Sequence, residues 1–238
     1  MPDWPSPQGD LPYRSDALHV WAARMPEGWK AEGDILSPAE RERATRFVFD
    51  RGRMEYTFHH STLRTILGRY TGVAPERVPL AARPNGKPVL EAPYERWRFN
   101  LAHSGPVLLC AVAEACEVGV DVERVRPMPD AAQIAARFFA PDEREALERL
   151  DAAEREAAFF ACWTRKEAFL KATGEGLRRD LESFAVPVEP ALRGPWRIAG
   201  NWSVFGLPEF HGCACALAVK GDLPPVRTWE FAGPSPPI

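Results

Sequence analysis

The sequence predicts an α+β fold of two similar halves with a ligand-binding cleft between them. Helical and strand-like segments are mixed along 238 residues, a length that suits one large domain or two of about 100 residues. Arg46-Phe47-Val48 is echoed by Arg137-Phe138-Phe139, and a glycine-terminated helix and an extended stretch follow each. Leu109-Cys110-Ala111-Val112-Ala113 is echoed by Ala214-Cys215-Ala216-Leu217-Ala218. The matches are short, but the order of elements agrees with them. The halves are set at 1–115 and 116–238, with a loose tail over 1–16 and an irregular one from about 222. Paired halves of this kind often bind ligands between them.

The elements follow in chain order. Leu18 to Ala23 reads as a short strand. Ser37-Pro38-Ala39-Glu40 opens a helix: Ser37 suits the N-cap, Pro38 the first turn, and Glu40 closes a capping box. That helix runs through Arg41, Arg43 and Arg46. Leu63, Ile66, Leu67 and Tyr70 stand at helical spacing in a second helix that ends near Gly72. Proline-marked extended segments reach Pro93, and Val107 to Ala113 is an apolar strand. Val118 to Val122 reads as another strand. Ile134 to Phe139 is helical, and Pro141-Asp142 starts the next helix. A long helix covers about Glu154 to Thr173, stopped by Gly174 and Gly176. The proline-rich stretch from Leu223 onward reads as irregular.

Composition narrows the function. With 45% hydrophobic residues the chain can bury a sizeable core, and a formal net charge of −3 lacks the basic excess of a nucleic-acid binder. The five cysteines are odd in number and contain no CxxC, which argues against a disulfide scaffold or zinc site. The first fifteen residues are polar and proline-rich, with no basic start and apolar stretch, so they do not read as a signal peptide. No run approaches the ~20 apolar residues that span a membrane. The expectation is a cytoplasmic protein with reduced thiols.

Four segments carry chemistry. In Gly119-Val120-Asp121-Val122-Glu123, a strand period of two puts Asp121 and Glu123 on one face, ~7 Å apart. Two unit charges at that distance repel by about 2 kcal/mol at an effective dielectric of 20. A hard divalent cation removes that repulsion, and carboxylate oxygens are its natural ligands. A bare pair of this kind is more often a solvated strand end. In the segment from Phe159 to Lys171, ~100° per residue places Phe160, Trp163, Glu167 and Lys171 on one side of a helix. Lys166 points toward the side of Phe159. Glu167 and Lys171 could be a surface pair worth ~0.3–0.5 kcal/mol, but they continue a stripe expected to face inward, where charges need partners. Arg83-Pro84-Asn85-Gly86-Lys87-Pro88 reads as a turn, with Asn-Gly easing positive φ. Its lysine could meet a phosphate, although a turn lysine taken alone is more often simply exposed. In Phe99-Asn100-Leu101-Ala102-His103-Ser104-Gly105, His103 precedes a buried strand and suits phosphate binding or backbone satisfaction equally.

Taken together, in this order and spacing, these segments resemble the 4'-phosphopantetheinyl transferase superfamily, closest to its surfactin-type branch of two-half chains. The matching residues are Gly86-Lys87-Pro88, Phe99-Asn100 with His103-Ser104, Gly119-Val120-Asp121-Val122-Glu123, and Trp163 to Lys171. Ser37-Pro38 and Arg46-Phe47 extend the likeness from about Ser37 to about Val219. The resemblance implies Mg2+-dependent transfer of the phosphopantetheine arm of coenzyme A to a serine of an apo acyl or peptidyl carrier protein, releasing 3',5'-ADP. It implies that Asp121, Glu123 and Glu167 bind the metal, and that Glu167, Lys171 and Asp121 are catalytic. It implies that Arg43, Arg83, Gly86, Lys87, Pro88, Asn100, Ala102, His103, Lys166 and Lys171 hold coenzyme A, with Arg53 a weaker candidate. A chain with both halves can complete its own site, so a monomer is expected. Carriers of the family tend to be acidic, which makes the Arg-rich first helices candidates for docking. One departure stands out: the family commonly has serine before the histidine, where this chain has Ala102. The alternatives are a catalytically silent coenzyme A-binding or carrier-binding homologue and an unrelated Mg2+-dependent nucleotide phosphohydrolase.

Overall fold

The computed structural model describes residues 4–6, 17–31, 35–174, 180–198, 200–222 and 224–232. In chain order the first half contributes β1 (Leu18–Arg24), α1 (Pro38–Thr45), α2 (Asp50–Thr71), β2 (Leu80–Ala82), β3 (Pro88–Leu90), β4 (Trp97–Ser104) and β5 (Val107–Glu114). The second contributes β6 (Val118–Arg124), α3 (Ala131–Phe138), α4 (Pro141–Glu148), α5 (Ala152–Thr173), β7 (Trp196–Ile198), β8 (Trp202–Phe210) and β9 (Cys213–Lys220), followed by β10 (Val226–Glu230).

Local sequence sets the helix ends. Ser37 accepts the Glu40 amide and Glu40 accepts the Ser37 amide, so the capping box forms around α1. The 22-residue helices α2 and α5 both end at a glycine in the left-handed region, Gly72 and Gly174, where an L side chain would be strained. Gly176, expected to share that role, lies outside the described residues.

Two four-stranded sheets, ordered β10-β1-β5-β4 and β6-β9-β8-β7, form the centre. In each, the first strand of the half lies antiparallel beside the last strand of a hairpin, β1 beside β5 and β6 beside β9. The echoed Leu109–Ala113 and Ala214–Ala218 segments occupy these equivalent strands, β5 and β9. Alternation along the strands then builds three apolar layers. One face of the first sheet packs on α2 through Trp21, Phe58, Leu63, Ile66 and Phe99. One face of the second packs on α5 through Phe169, Val204, Ala216 and Ala218. The remaining faces meet each other through Val20, Leu109 and Ala111 from one side and Val118, Val120, Val122 and Leu217 from the other. The result is helix, sheet, sheet, helix.

Two expectations about the termini change. The tail read as irregular from about 222 contains β10, which pairs in parallel with β1 from Leu18↔Val226 to Ala22↔Glu230. Val226, Thr228, Trp229 and the following Phe231 offset the prolines, with Trp229 and Phe231 packed on the α2 layer. The chain after 116 therefore supplies a strand to the first sheet. In the tail read as loose, Trp4 is buried and its indole N–H donates to the Glu209 carbonyl at 3.1 Å. Residues 1–3 and 7–16 lie outside the described residues.

Candidate active site

Strand β6 and helix α5 build the centre of the site. Gly119, Asp121 and Glu123 face α5, while Val118, Val120 and Val122 face the other sheet. A Cβ on Gly119 would fall 2.2 Å from the Ala168 carbonyl oxygen and 2.3 Å from the Ala172 nitrogen. Only glycine lets the helix lie this close to the strand. Across the ladder, Asp121 and Glu123 pair with Ala216 and Ala214, whose small side chains leave the same room. This approach brings Lys171 Nζ to 2.6 Å from Asp121 Oδ1. The bland alternative, a surface pair of Lys171 with Glu167, gives way to this ion pair between helix and strand.

The site is electrostatically unfinished. Asp121 is 3% exposed, and its Oδ2 has no hydrogen-bond partner. Burial raises the Asp121 pKa against the pull of Lys171. Burial and then the Asp121 charge raise the Glu123 pKa, while a hydrogen bond from Ser104 opposes them. Burial and the charges of Asp121 and Glu123 raise that of Glu167, with Lys171 opposing. Three carboxyl groups thus share one cleft with one lysine beside them.

The hairpin between β2 and β3 closes one side. A cavity of about 290 Å³ is lined by Asn85, Gly86, Lys87, Pro88, Asn100, Glu167, Leu170, Lys171 and Gly174. Asn85 Nδ2 donates to the Gly174 carbonyl at 2.8 Å, tying the hairpin to the end of α5. Lys87 is not a free turn lysine. Its Nζ donates to Glu117 Oε2, the Val118 carbonyl and the Ala172 carbonyl at 3.0–3.3 Å, which engages all three ammonium protons. Burial lowers its pKa, with Glu117 opposing. Arg83 donates to the other Glu117 oxygen at 2.9 Å.

On the opposite wall His103 stacks on His59, with ring centroids 4.5 Å apart and planes 16° apart. Burial, then nearby Lys171, lowers the His103 pKa. Burial and the two neighbouring histidines bring His59 down to about 3, so the ring under His103 is neutral near pH 7. Behind them Glu40 accepts from His60 at 3.0 Å and Arg64 at 2.6 Å. Burial raises the Glu40 pKa, but hydrogen bonds from His60, Ser37 and Arg64 bring it to about 2.

Several residues expected to hold coenzyme A are engaged within the protein or lie out on its surface. Lys166 is fully buried inside the second half: its Nζ lies 2.8 Å from Glu143 and donates to the Leu181 and Phe184 carbonyls at 2.7 Å. It has no surface to offer a ligand, so that expectation is corrected. The helix faces its core with the Lys166 side, and the stripe carrying Glu167 and Lys171 lies at the cleft. Ala102 is 3% exposed, and its methyl group is taken up by the layer between the sheets. Asn100 borders the cavity, but its Oδ1 accepts the Val120 amide at 2.9 Å. Arg43 is exposed on α1, its guanidinium 5.8 Å from the Tyr56 ring centroid, and Arg53 pairs with Asp50.

Several side chains that shape the site were not singled out in the sequence. Glu117 gathers Lys87 and Arg83, His59 supports His103, and Glu143 anchors Lys166. Glu117, two residues before the Gly119–Glu123 run, carried the only local signal; the others act across long sequence separations.

A metal fits the donor chemistry. Among the described residues no three of His, Cys, Asp and Glu converge to enclose an ion by themselves. Magnesium does not need such a cage, since it is usually held by one or two carboxylates, substrate phosphates and water. The orphan Asp121 Oδ2 and the mutual repulsion at Glu123 and Glu167 suit a hard cation with open positions. No described helix is long and apolar enough to cross a membrane.

Comparison with known proteins agrees with this arrangement. Residues 19–115 match the family described as 4'-phosphopantetheinyl transferase, N-terminal, and residues 117–206 match the 4'-phosphopantetheinyl transferase superfamily. The chain is 36% identical to 4'-phosphopantetheinyl transferase HetI of Nostoc sp., over 96% of this chain and 98% of that one. It is 37% identical to 4'-phosphopantetheinyl transferase psf-1 of Bacillus pumilus over 63% of each chain. It is 29% identical to 4'-phosphopantetheinyl transferase Sfp of Bacillus subtilis, over 64% of this chain and 66% of that one. With both halves matched and one relative aligned almost end to end, this chain belongs to the 4'-phosphopantetheinyl transferase superfamily.

Proposed function

We propose that this chain transfers the 4'-phosphopantetheine arm of coenzyme A to a serine of an apo acyl or peptidyl carrier protein and releases 3',5'-ADP. The observation that carries the reading is the meeting of Asp121, Glu123, Glu167 and Lys171 beside a cavity between the halves of a chain in this family.

The reaction joins the carrier serine oxygen to the phosphorus that bears the pantetheine arm and breaks that phosphorus–oxygen bond to 3',5'-ADP. Positioning and charge neutralisation dominate such transfers. Asp121, Glu123 and Glu167 would hold Mg2+ together with the pyrophosphate. The ion supplies charge neutralisation and orientation when bound. Glu167 accepts the serine proton, directly or through water, and its raised pKa makes it a stronger base than an exposed glutamate. Lys171, already turned into the cleft by Asp121, donates to the departing phosphate. His103, Arg83 and the Gly86–Pro88 turn border the donor nucleotide, with Arg43 reaching its 3'-phosphate from α1. Lys87 contributes by fixing that turn to α5. The nucleophile comes from the partner, so no activated serine or cysteine is needed in this chain. The protein acts as a monomer, because one chain carries both walls of the cleft.

The test is intact mass spectrometry of several apo carriers after incubation with this protein, coenzyme A and Mg2+, each with an EDTA control. The expected result is one added phosphopantetheinyl group, lost with EDTA. Coenzyme A binding without a mass gain on any carrier would overturn the transfer. Release of nucleotide without carrier would point to a phosphohydrolase.

A further inference from the structure

Strands β4 and β6 are edge strands of different sheets. Side chains of β4 close the exposed edge of β6 where ladder bonds would otherwise stand. Asn100 Oδ1 accepts the Val120 amide at 2.9 Å, and four residues along each strand Ser104 Oγ accepts the Arg124 amide at 3.2 Å. The period of two carries all these groups on one side.

Ser104 does more than close an edge. A hydroxyl has one proton, and Ser104, accepting from Arg124, directs that proton to Glu123 Oε2 at 2.9 Å. Glu123 is a long side chain with several rotors near the end of β6, and no lysine or arginine pairs with it among the described ion pairs. Ser104 is its described hydrogen-bond partner, and it belongs to the other half of the chain. Resting on the functional reading above, we infer that Ser104 is a positioning residue: it fixes one Glu123 oxygen from across the cleft and so aims the other at the cation. Among the contacts between the halves this hydroxyl is the one that reaches Glu123, so the carboxylate set of the second half is complete only when β4 is seated.

The direct test is Mn2+ affinity of the protein–coenzyme A complex, read from the EPR signal of free Mn2+, for wild type, Ser104→Ala and Ser104→Thr. Partners that orient metal ligands typically change affinity 10–100-fold when removed. Ser104→Ala should bind Mn2+ about tenfold more weakly, with a parallel rise in the Mg2+ concentration that half-saturates transfer and KM for the carrier nearly unchanged. Ser104→Thr keeps the hydroxyl and should restore most of the affinity. Should Ser104→Ala fail to fold through loss of the Arg124 bond, Ser104→Cys takes its place, since a thiol is a weak donor of similar size. Unchanged Mn2+ affinity in Ser104→Ala or Ser104→Cys, with only the melting temperature lowered, would overturn the inference and leave Ser104 an edge closure. So would an equal loss in Ser104→Thr. If wild type neither binds Mn2+ with coenzyme A nor modifies a carrier, the functional reading falls too. An active wild type with an indifferent Ser104 sinks this inference alone.

Discussion

Two lysines five residues apart on α5 do opposite work. Lys166, on the core side, meets Glu143 at 2.8 Å and two backbone carbonyls, and Glu143 in turn accepts the Ala140 and Val186 amides at 2.7 Å. Every group in that cluster has a partner. Lys171, on the cleft side, meets one of three carboxylates, and the buried Oδ2 of Asp121 has none. A saturated buried pair ties α4, α5 and the 181–186 segment together. An unsaturated one is a place for something else to bind. For these two lysines burial and hydrogen bonding agree: the Lys166 side chain is fully buried with its partners complete, while that of Lys171 is 33% exposed beside carboxylates that are not.

The contrast can be broken at its saturated end first. Lys166→Ala strands the Glu143 carboxylate in the core, and removing one partner of a buried pair costs about 3–5 kcal/mol. Chemical denaturation should show that loss, together with a weaker hold on the 181–186 segment. If the protein keeps its stability and loses only affinity for coenzyme A, Lys166 belongs with the site after all.

At the unsaturated end the expected effect is on rate. Glu167→Gln should lower transfer by at least about 100-fold, equivalent to about 2.7 kcal/mol, while the fold stays as stable or becomes more so. The sign follows from repulsion: Glu167 sits above its ordinary pKa because burial and two acids surround it. Full activity in Glu167→Gln would remove it as base and ligand together.

The smallest effect sharpens the same contrast through pH. Asp121, Glu123 and Glu167 all have raised folded-state values. Their folded forms hold protons more tightly than the unfolded chain does, so stability falls as pH rises from about 4 through those raised values. Thermal melts in EDTA should therefore show a loss of stability across that window, and Mg2+ with coenzyme A should return it. Glu40 pulls the other way: its stabilising effect is present above its unfolded value and is lost as pH falls toward about 2. A flat profile between pH 4 and 7, unmoved by Mg2+, would show that burial and neighbouring charge do not raise these three carboxyl groups.

The cleft acids were legible because one strand and one helix each carried them at the right period. Gly119, Asp121 and Glu123 alternate on β6, and Glu167 and Lys171 are one helical turn apart on α5. The same helical arithmetic placed Lys166 off the stripe but could not show that its own side was the core, because Glu143 stands 23 positions earlier on another helix. Lys87 meets the same limit: the turn chemistry was legible, but Glu117 and the end of α5 decide where its ammonium goes. Ser104 and Glu123 face each other only because β4 and β6 meet, a relation between halves that no local pattern encodes. For β10, proline content outweighed the alternation in Val226–Glu230, and only pairing with β1 makes that segment a strand.

That last strand sets an order of assembly. The first sheet pairs β1 with β10 from residues 226–230, so a nascent chain cannot complete that sheet until residue 230 has left the ribosome. The second half, by contrast, draws β6 through β9 from one continuous stretch. Synthesis proceeds from the first half to the second, while closure runs backward, with β10 sealing the sheet that β1 begins.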